Sequence, residues 1–325
     1  MDAHSHIAIP RAAEFVRPYL DPLTVSLVRY QSPETRAVNN KQEEDVLPRL
    51  TVMEQRLFDL DRLGIDMQLV MPSPFQCYYT VPVEIAVKAA ILVNDGIAEW
   101  VQRKPDRFVA FGTAPLVDGE EAARELERCV TKLGFKGVQI LTNVAGKELS
   151  DPSLAPFWKK AEKLGAVVAI HPNGFTHAER LQRFYLNNLI GNPLETAIAL
   201  HYLIFDGVLE RHTNLKIFSV HGGGYTGAYF GRMDHAWGAR SDCNIALPNP
   251  PSSYLRRIYV DSVVFTVSQL RALVETFGAD HVIMGTDYPF DMGDYDPVGL
   301  VMAAGFDTKT ASAVAGLSAK RLLGV

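Results

Sequence analysis

Short apolar runs alternate with longer amphipathic segments along most of the chain after about residue 52. The apolar runs are rich in β-branched residues and lack polar alternation, which is typical of strands covered on both faces of a sheet. The runs predict strands at Met67–Met71, Phe108–Thr113, Gly137–Leu141, Val167–His171, Lys216–Val220, Ile258–Ser262 and Val282–Gly285. The segments between them predict helices at Val52–Leu63, Val83–Arg103, Gly119–Leu133, Leu154–Leu164, Pro193–Leu209 and Ser268–Phe277.

This alternation of strands and helices indicates an α/β fold. The first residues of the chain can supply a strand before the seven predicted ones, and eight β/α units form a TIM-type barrel. A doubly wound open sheet is the alternative. Pro10–Leu50 has the pattern of an irregular insertion after the first strand. The sequence contains no internal repeat and no low-complexity tract, so we expect a single domain over residues 1–325 with an insertion at 10–50.

The composition narrows the class of protein. The 32 lysines and arginines and 37 aspartates and glutamates give a net charge of −5, which argues against a nucleic-acid-binding protein. The three cysteines, Cys77, Cys129 and Cys243, are odd in number and widely spaced, which excludes a disulfide framework and favours a reducing compartment. The N-terminus lacks a signal-peptide pattern, and no apolar run approaches the length of a membrane span. We therefore expect a cytoplasmic protein that binds no membrane.

Histidines and aspartates occur where the predicted strands end. His4 and His6 stand two apart, so both side chains lie on the same side of an extended strand. His171, His221 and Asp287 each follow a later apolar run. In a parallel barrel these strand ends converge on one rim, where active sites are built. Three imidazoles and a carboxylate suit one divalent metal ion, with zinc as the leading candidate, and a further imidazole is a candidate acid/base.

Each of these residues also has a simpler interpretation. The His4/His6 pair could occur by chance, Asp287 could cap a helix, and Gly222–Gly224 after His221 could form a tight turn. The joint pattern favours the metal site, because several polar residues at the same end of buried strands are costly unless they serve a function.

The motifs that carry these residues, taken in order, resemble those of the amidohydrolase superfamily. They are Asp2-x-His4-x-His6, His171-Pro172, His221-Gly222-Gly223-Gly224 and Gly285-Thr286-Asp287-Tyr288-Pro289-Phe290. The resemblance is to the branch that contains aminocarboxymuconate semialdehyde decarboxylase and benzoate-type decarboxylases. It implies a distorted (β/α)8 barrel with one catalytic divalent metal, zinc or, as in some relatives, manganese.

Site roles also follow from the resemblance, residue by residue. It implies that His4, His6, His171 and Asp287 are metal ligands and that His221, acting with Asp287, moves the proton. It places Arg232 and Phe290 at the substrate. Asn173 is a further candidate for a substrate contact, at a position where the muconate decarboxylase has a tryptophan. An arginine that matches Arg232 reaches the neighbouring subunit's site in the muconate decarboxylase, so we expect a homodimer or a higher homo-oligomer.

Three functions are compatible with such a site. The resemblance favours metal-dependent, non-oxidative decarboxylation of a small conjugated or aromatic carboxylic acid, similar to a hydroxybenzoate or a carboxymuconate. The alternative is a hydrolase acting on a lactone, an amide or a C–C bond, or a hydratase, because a bound metal ion also activates water. A barrel that keeps a structural metal and binds a partner is the non-enzymatic alternative.

Overall fold

A computed structural model describes residues 1–325. The chain forms ten strands: β1 (Asp2–Ile7), β2 (Gln68–Pro72), β3 (Phe108–Thr113), β4 (Gly137–Leu141), β5 (Asn143–Val144), β6 (Lys147–Glu148), β7 (Val167–His171), β8 (Lys216–Ser219), β9 (Ile258–Asp261) and β10 (Val282–Ile283). Eight of them pair in parallel in the order β1-β2-β3-β4-β7-β8-β9-β10, and β5 and β6 form a small antiparallel pair.

The sheet closes between its first and last strands. The Ala3 N–H donates to the Met284 carbonyl (2.9 Å), and the His6 N–H donates to the Tyr288 carbonyl (2.8 Å). The predicted TIM-type barrel is therefore confirmed, and the open-sheet alternative is wrong. The last strand is shorter than the predicted Val282–Gly285, because the Gly285 N–H donates to the Ser262 hydroxyl rather than to a neighbouring strand.

Helices cover the outside of the barrel. They are α1 (Pro10–Val16), α2 (Ser26–Arg29), α3 (Pro33–Thr51), α4 (Met53–Arg62), α5 (Val83–Arg103), α6 (Gly119–Thr131), α7 (Ala155–Leu164), α8 (Asn192–Phe205), α9 (Val208–Arg211), α10 (Thr226–Ala239), α11 (Val267–Phe277), α12 (Pro297–Ala303), α13 (Thr308–Ser312) and α14 (Ser318–Leu323). The single helix predicted at Pro193–Leu209 is two helices, because Gly207 adopts a left-handed conformation (φ 69°) between them.

The insertion after β1 is helical rather than irregular. Helices α1, α2 and α3 occupy most of residues 10–51, and Ser32 caps α3 by accepting a hydrogen bond from the Thr35 N–H. Helix α3 has almost no apolar face, with Val46 and Leu50 as its buried residues, so helical periodicity is weak there. The segment is tied to the barrel mouth, since the Ser26 hydroxyl donates to the Phe175 carbonyl.

Alternate residues of each strand divide between two apolar cores. Ile170 and its outward-facing counterparts pack against the helices, whereas Val167, Ala169 and Phe218 pack inside the barrel. Leu322 of α14 joins the inner cluster. Successive side chains of a strand point to opposite faces, so one face of each strand lines the barrel axis. The same alternation determines which strand-end residues face the mouth. No helix is both long and apolar enough to cross a membrane.

Candidate metal centre at the barrel mouth

Strand β1 brings two imidazoles into contact. His4 and His6 are fully buried, and their Nε2 atoms are 3.1 Å apart. The Asp287 Oδ1 atom lies 3.3 Å from His4 Nε2 and 3.1 Å from His6 Nε2. The first and last motifs of the sequence, which are more than 280 residues apart, therefore meet at one point.

His171 completes this group from the end of β7. Its ring centroid lies 5.4 Å from that of His4 and 4.8 Å from that of His6. Its Nε2 is buried and has no hydrogen-bond partner. Ligand atoms of His4, His171, His221 and Asp287 all lie within 4.8 Å of one another. The five residues that were singled out at strand ends thus form a single cluster.

The protons of these imidazoles point away from the cluster. The Nδ1 atoms of His4, His6 and His171 lie 2.6 Å from Asp261 Oδ2, 3.0 Å from the Pro72 carbonyl and 2.6 Å from the Pro172 carbonyl, respectively. Each acceptor draws the ring proton to Nδ1, which leaves the lone pair of each Nε2 facing its neighbours. Unshared lone pairs 3.1 Å apart repel unless a cation lies among them. The residues therefore fit a metal ion with nitrogen and oxygen ligands.

Burial and charge set the protonation of the cluster. Burial, together with the nearby imidazoles, holds the pKa of His171 well below its ordinary value, and burial also lowers the pKa of His6. Burial alone would raise the pKa of Asp287, but His4, His221 and His6 outweigh it and hold that pKa well below its ordinary value. Burial alone would lower the pKa of His4, but the carboxylates around it outweigh burial and raise that pKa above its ordinary value. Two neutral imidazoles beside an ionised carboxylate suit a divalent cation.

The side chains of His221 and Asp287 stand on unusual backbone. His221 has φ 54° and Asp287 has φ 57°, in the left-handed region that residues other than glycine seldom adopt. His221 Nε2 lies 3.4 Å from Asp287 Oδ2, and its side chain is 19% exposed, unlike the fully buried His4 and His6. His221 is thus the imidazole of the cluster that is most open to a substrate.

Sequence reasoning assigned no role to two buried residues beside the cluster. Asp261 ends β9 and accepts hydrogen bonds from His4 and from the backbone of His221. Asp2 accepts from the His4 N–H (3.0 Å) and from the Thr286 hydroxyl (2.7 Å), which fixes β1 against the loop that carries Asp287. The signal for Asp261 was present, because Ile258-Tyr259-Val260-Asp261 places a carboxylate at a strand end like the others.

The three predicted substrate contacts differ in position. The Phe290 ring lies 5.4 Å from the His6 ring, and Asn173 carries a buried Oδ1 without a hydrogen-bond partner. Phe290 therefore borders the cluster, and Asn173 lies in the loop that follows His171. Arg232 lies instead on α10 with an exposed side chain, and it takes part in none of the ion pairs of the chain. No hydrogen bond or ion pair joins Arg232 to the cluster of its own chain.

Known proteins are similar to this chain in sequence. A family model described as amidohydrolase matches residues 1–325. The chain is 39% identical, over 247 residues, to a 2-amino-3-carboxymuconate-6-semialdehyde decarboxylase of Dictyostelium discoideum; the match covers 76% of this chain and 69% of the relative. A gamma-resorcylate decarboxylase of Rhizobium radiobacter is 29% identical over 76% of this chain and 79% of its own.

Solved structures share the fold. A 5-carboxyvanillate decarboxylase from Novosphingobium aromaticivorans, complexed with manganese and 4-hydroxy-3-methoxy-5-nitrobenzoic acid, superposes with a TM-score of 0.86. The two proteins are 24% identical, and the superposition covers 100% of this chain and 96% of the other. At this identity the likeness shows the same barrel.

Proposed function

The chain belongs to the amidohydrolase family, and from that premise we propose that it is a metal-dependent, non-oxidative decarboxylase of an aromatic or conjugated carboxylic acid. The observation that carries the proposal is the set of three buried imidazoles whose Nδ1 atoms each contact an acceptor while their Nε2 atoms gather around Asp287. Decarboxylation is favoured over hydrolysis because relatives with similar sequences are named as decarboxylases. Residues 1–325 act in this proposal as one catalytic unit, with 10–50 as an insertion.

The metal ligands in this proposal are His4, His6, His171 and Asp287. A bound divalent ion supplies Lewis-acid stabilisation of the negative charge that develops on a substrate oxygen. Zinc comes first because three imidazoles and a carboxylate match its preferred ligands. Manganese is the alternative, and the metal bound in the carboxyvanillate decarboxylase supports it.

Proton transfer falls to His221 and Asp287. Loss of CO2 leaves the bonding electron pair on the substrate carbon, and a proton must replace the carboxyl group there. His221 is the partly exposed imidazole of the cluster and lies 3.4 Å from Asp287, so the pair can pass a proton to that carbon. The Phe290 ring and the unpaired Asn173 amide oxygen then border the substrate, where they suit a flat ring that carries a hydroxyl group.

The assembly in this proposal is a homodimer in the cytoplasm. Arg232 is exposed on α10, and Tyr229 and Phe230 beside it are 66% and 37% exposed, which is typical of an interface that combines aromatic residues with arginine. A partner subunit would thus receive Arg232 at its own site, where the guanidinium binds the substrate carboxylate. Three free cysteines favour a reducing compartment.

A substrate screen tests the proposal. Protein reconstituted with zinc or manganese is incubated with hydroxybenzoates and carboxymuconate-type acids, and CO2 release is measured together with loss of the substrate's absorbance. We expect stoichiometric CO2 from at least one of these acids and none after treatment with a chelator. Conversion of esters, lactones or amides with uptake of water, without CO2 from any acid, would contradict the proposal and favour a hydrolase.

A further inference from the structure

Asp261 is a fully buried carboxylate that accepts four hydrogen bonds. Its Oδ2 accepts from His4 Nδ1 (2.6 Å) and from the His221 N–H (2.9 Å). Its Oδ1 accepts from the N–H groups of Gly222 (2.8 Å) and Val263 (3.1 Å). One side chain therefore contacts both a proposed metal ligand and the backbone of the proposed proton donor.

The contact with His4 decides which ring nitrogen carries the proton. Three of the four partners of Asp261 are backbone N–H groups, so both of its oxygens already act as acceptors. The short contact to Nδ1 then holds the ring proton on that nitrogen and leaves His4 Nε2 free, 3.1 Å from His6 Nε2. With the proton on Nε2 instead, His4 could not bind a metal ion through the nitrogen that faces the cluster.

The contacts with the loop after β8 hold a strained conformation. His221 and Gly222 have φ values of 54° and 62°, so two successive residues are left-handed. Such a conformation in histidine persists only when the surroundings determine it. The two oxygens of Asp261 bind the N–H groups of these same two residues, and the resulting turn brings His221 Nε2 to 3.4 Å from Asp287 Oδ2.

We propose that Asp261 is a positioning residue that holds the metal-binding tautomer of His4 and, at the same time, the left-handed turn that presents His221. The inference rests on the proposed function, because it assigns His4 to the metal and His221 to the proton. Asp261 touches neither the metal nor the substrate in this account, and it acts through the two histidines.

Asp261→Asn is the variant that separates these contacts. The amide keeps the shape but has one acceptor oxygen and one NH2 group, so at least two of the four hydrogen bonds are lost. An NH2 group facing His4 would donate to Nδ1 and move the ring proton to Nε2. Removal of such a partner of a metal-binding histidine typically weakens metal affinity 10- to 100-fold.

The experiment begins with binding of Zn2+ or Mn2+ alone to metal-free protein, without substrate. We expect Asp261→Asn to bind the ion about 10- to 100-fold more weakly than the wild type. Glu125→Gln is the matched control, since Glu125 is also a buried carboxylate with hydrogen bonds to Asn94 and Arg128, but it lies on α6 outside the cluster. The control is expected to bind the ion as the wild type does. Equal affinity in Asp261→Asn and the wild type would overturn the inference.

Kinetics at saturating metal then test the contact with His221. If Asp261 also positions His221, kcat stays below the wild-type value when the site is filled, while KM changes little. Asp261→Glu keeps the carboxylate and is expected to recover part of the metal affinity. Full recovery of kcat by added metal would overturn the His221 half of the inference. If the protein releases no CO2 at all, the proposed function fails, while the metal-binding result still tests the His4 half.

A measurement on the wild type covers the case in which Asp261→Asn does not fold. Nitrogen-15 chemical shifts of the histidine rings distinguish the two neutral tautomers, and the His4 signals are assigned by their loss in His4→Gln. At a pH high enough for the ring to be neutral, we expect metal-free His4 to carry its proton on Nδ1. A proton on Nε2 would overturn the inference without reference to activity.

Discussion

At the residue scale, the two residues of the cluster that have a left-handed backbone are the two to which proton transfer is assigned. His221 and Asp287 both have positive φ, and their side chains contact each other at 3.4 Å. Non-glycine residues in this region cost about 1–2 kcal/mol each, so the surrounding hydrogen bonds must hold them. The geometry assigns different tasks to chemically similar histidines: three are buried with their Nδ1 atoms fixed by acceptors, and His221 remains accessible.

The His221→Asn variant tests that division of tasks. Asparagine is close in size but cannot move a proton near neutral pH, so we expect kcat to fall by about 10²–10⁴-fold. Metal content should stay at the wild-type level, because the proposed ligands His4, His6, His171 and Asp287 are intact. Steady-state CO2 release and elemental analysis of the same sample check both points. Near-normal turnover with normal metal content would refute the role of His221.

Acidification provides a second test at this scale. Folding lowers the pKa of both His6 and His171, so below the ordinary value of 6.5 the unfolded chain binds protons that the folded chain excludes. The free energy of unfolding of metal-free protein should therefore fall as the pH drops from 6.5 to 5, by up to about 1.4 kcal/mol per pH unit for each imidazole. His4 has a raised pKa, so it contributes a slope of the opposite sign, but only near pH 6.5, where the unfolded imidazole is still partly deprotonated.

Denaturant titrations of metal-free protein at several pH values check this dependence. The His171→Gln variant should show a shallower slope, because it lacks one of the two imidazoles. Stability that is constant from pH 7 to pH 5 would contradict the protonation states that the cluster requires.

At the element scale, the strands were predictable because both faces of each are covered. Val167–His171 and Phe108–Thr113 have the predicted bounds, since β-branched runs between helices leave little ambiguity. Helix α3 was not predicted, because its stabilisation comes from a cap and a few contacts rather than from an apolar face. The break at Gly207 within a continuous helical pattern was also missed, because it depends on the local left-handed backbone.

The same distinction holds for the site. Strand-end placement found His4, His6 and His171 because an apolar run makes a polar residue at its end conspicuous. The partners of their Nδ1 atoms were not predicted. Pro72 and Pro172 act through backbone carbonyls, which the residue type does not indicate. Asp261 stands at a strand end, but its contact with His4 joins β9 to β1, two strands away, and depends on closure of the barrel.

The pairing of β4 with β7 depends on a residue without a side chain. Gly137 lies opposite Val167, and a Cβ atom there would overlap the Val167 carbonyl oxygen. Gly137→Ala should therefore lower the free energy of unfolding by about 1–3 kcal/mol, as overpacking of a core does. The control Gly238→Ala, on α10 with no atom near the added methyl group, should leave stability unchanged or raise it by about 0.5–1 kcal/mol. Equal thermal unfolding of the two variants would contradict the close approach of these strands.

At the scale of the whole molecule, the barrel brings together residues from both ends of the chain. His4 is in the first strand and Asp287 follows the last, yet they meet at 3.3 Å because the sheet closes. Arg232 has no hydrogen bond or ion pair with the cluster, and its exposure on α10 leaves it available to a second subunit.

Subunit complementation tests the proposed dimer. Arg232→Ala and His221→Asn should each be nearly inactive alone, since one removes the proposed carboxylate contact and the other the proton donor. A mixed dimer holds one complete site, in which the partner with intact Arg232 serves the subunit with intact His221. Co-expressed variants should therefore regain CO2 release that neither shows separately. No recovery in mixed dimers separated by affinity tags would place Arg232 outside the partner's site.

Metal content, measured on wild-type and His171→Ala protein, tests the central claim most directly. Metal-free samples are reconstituted with Zn2+ or Mn2+ and dialysed, and their metal content is measured by inductively coupled plasma mass spectrometry. The account predicts one tightly held ion per wild-type chain, and its loss or marked weakening when the unpaired Nε2 of His171 is removed. A wild-type chain that retains no ion, or a His171→Ala variant that retains as much as the wild type, would contradict it.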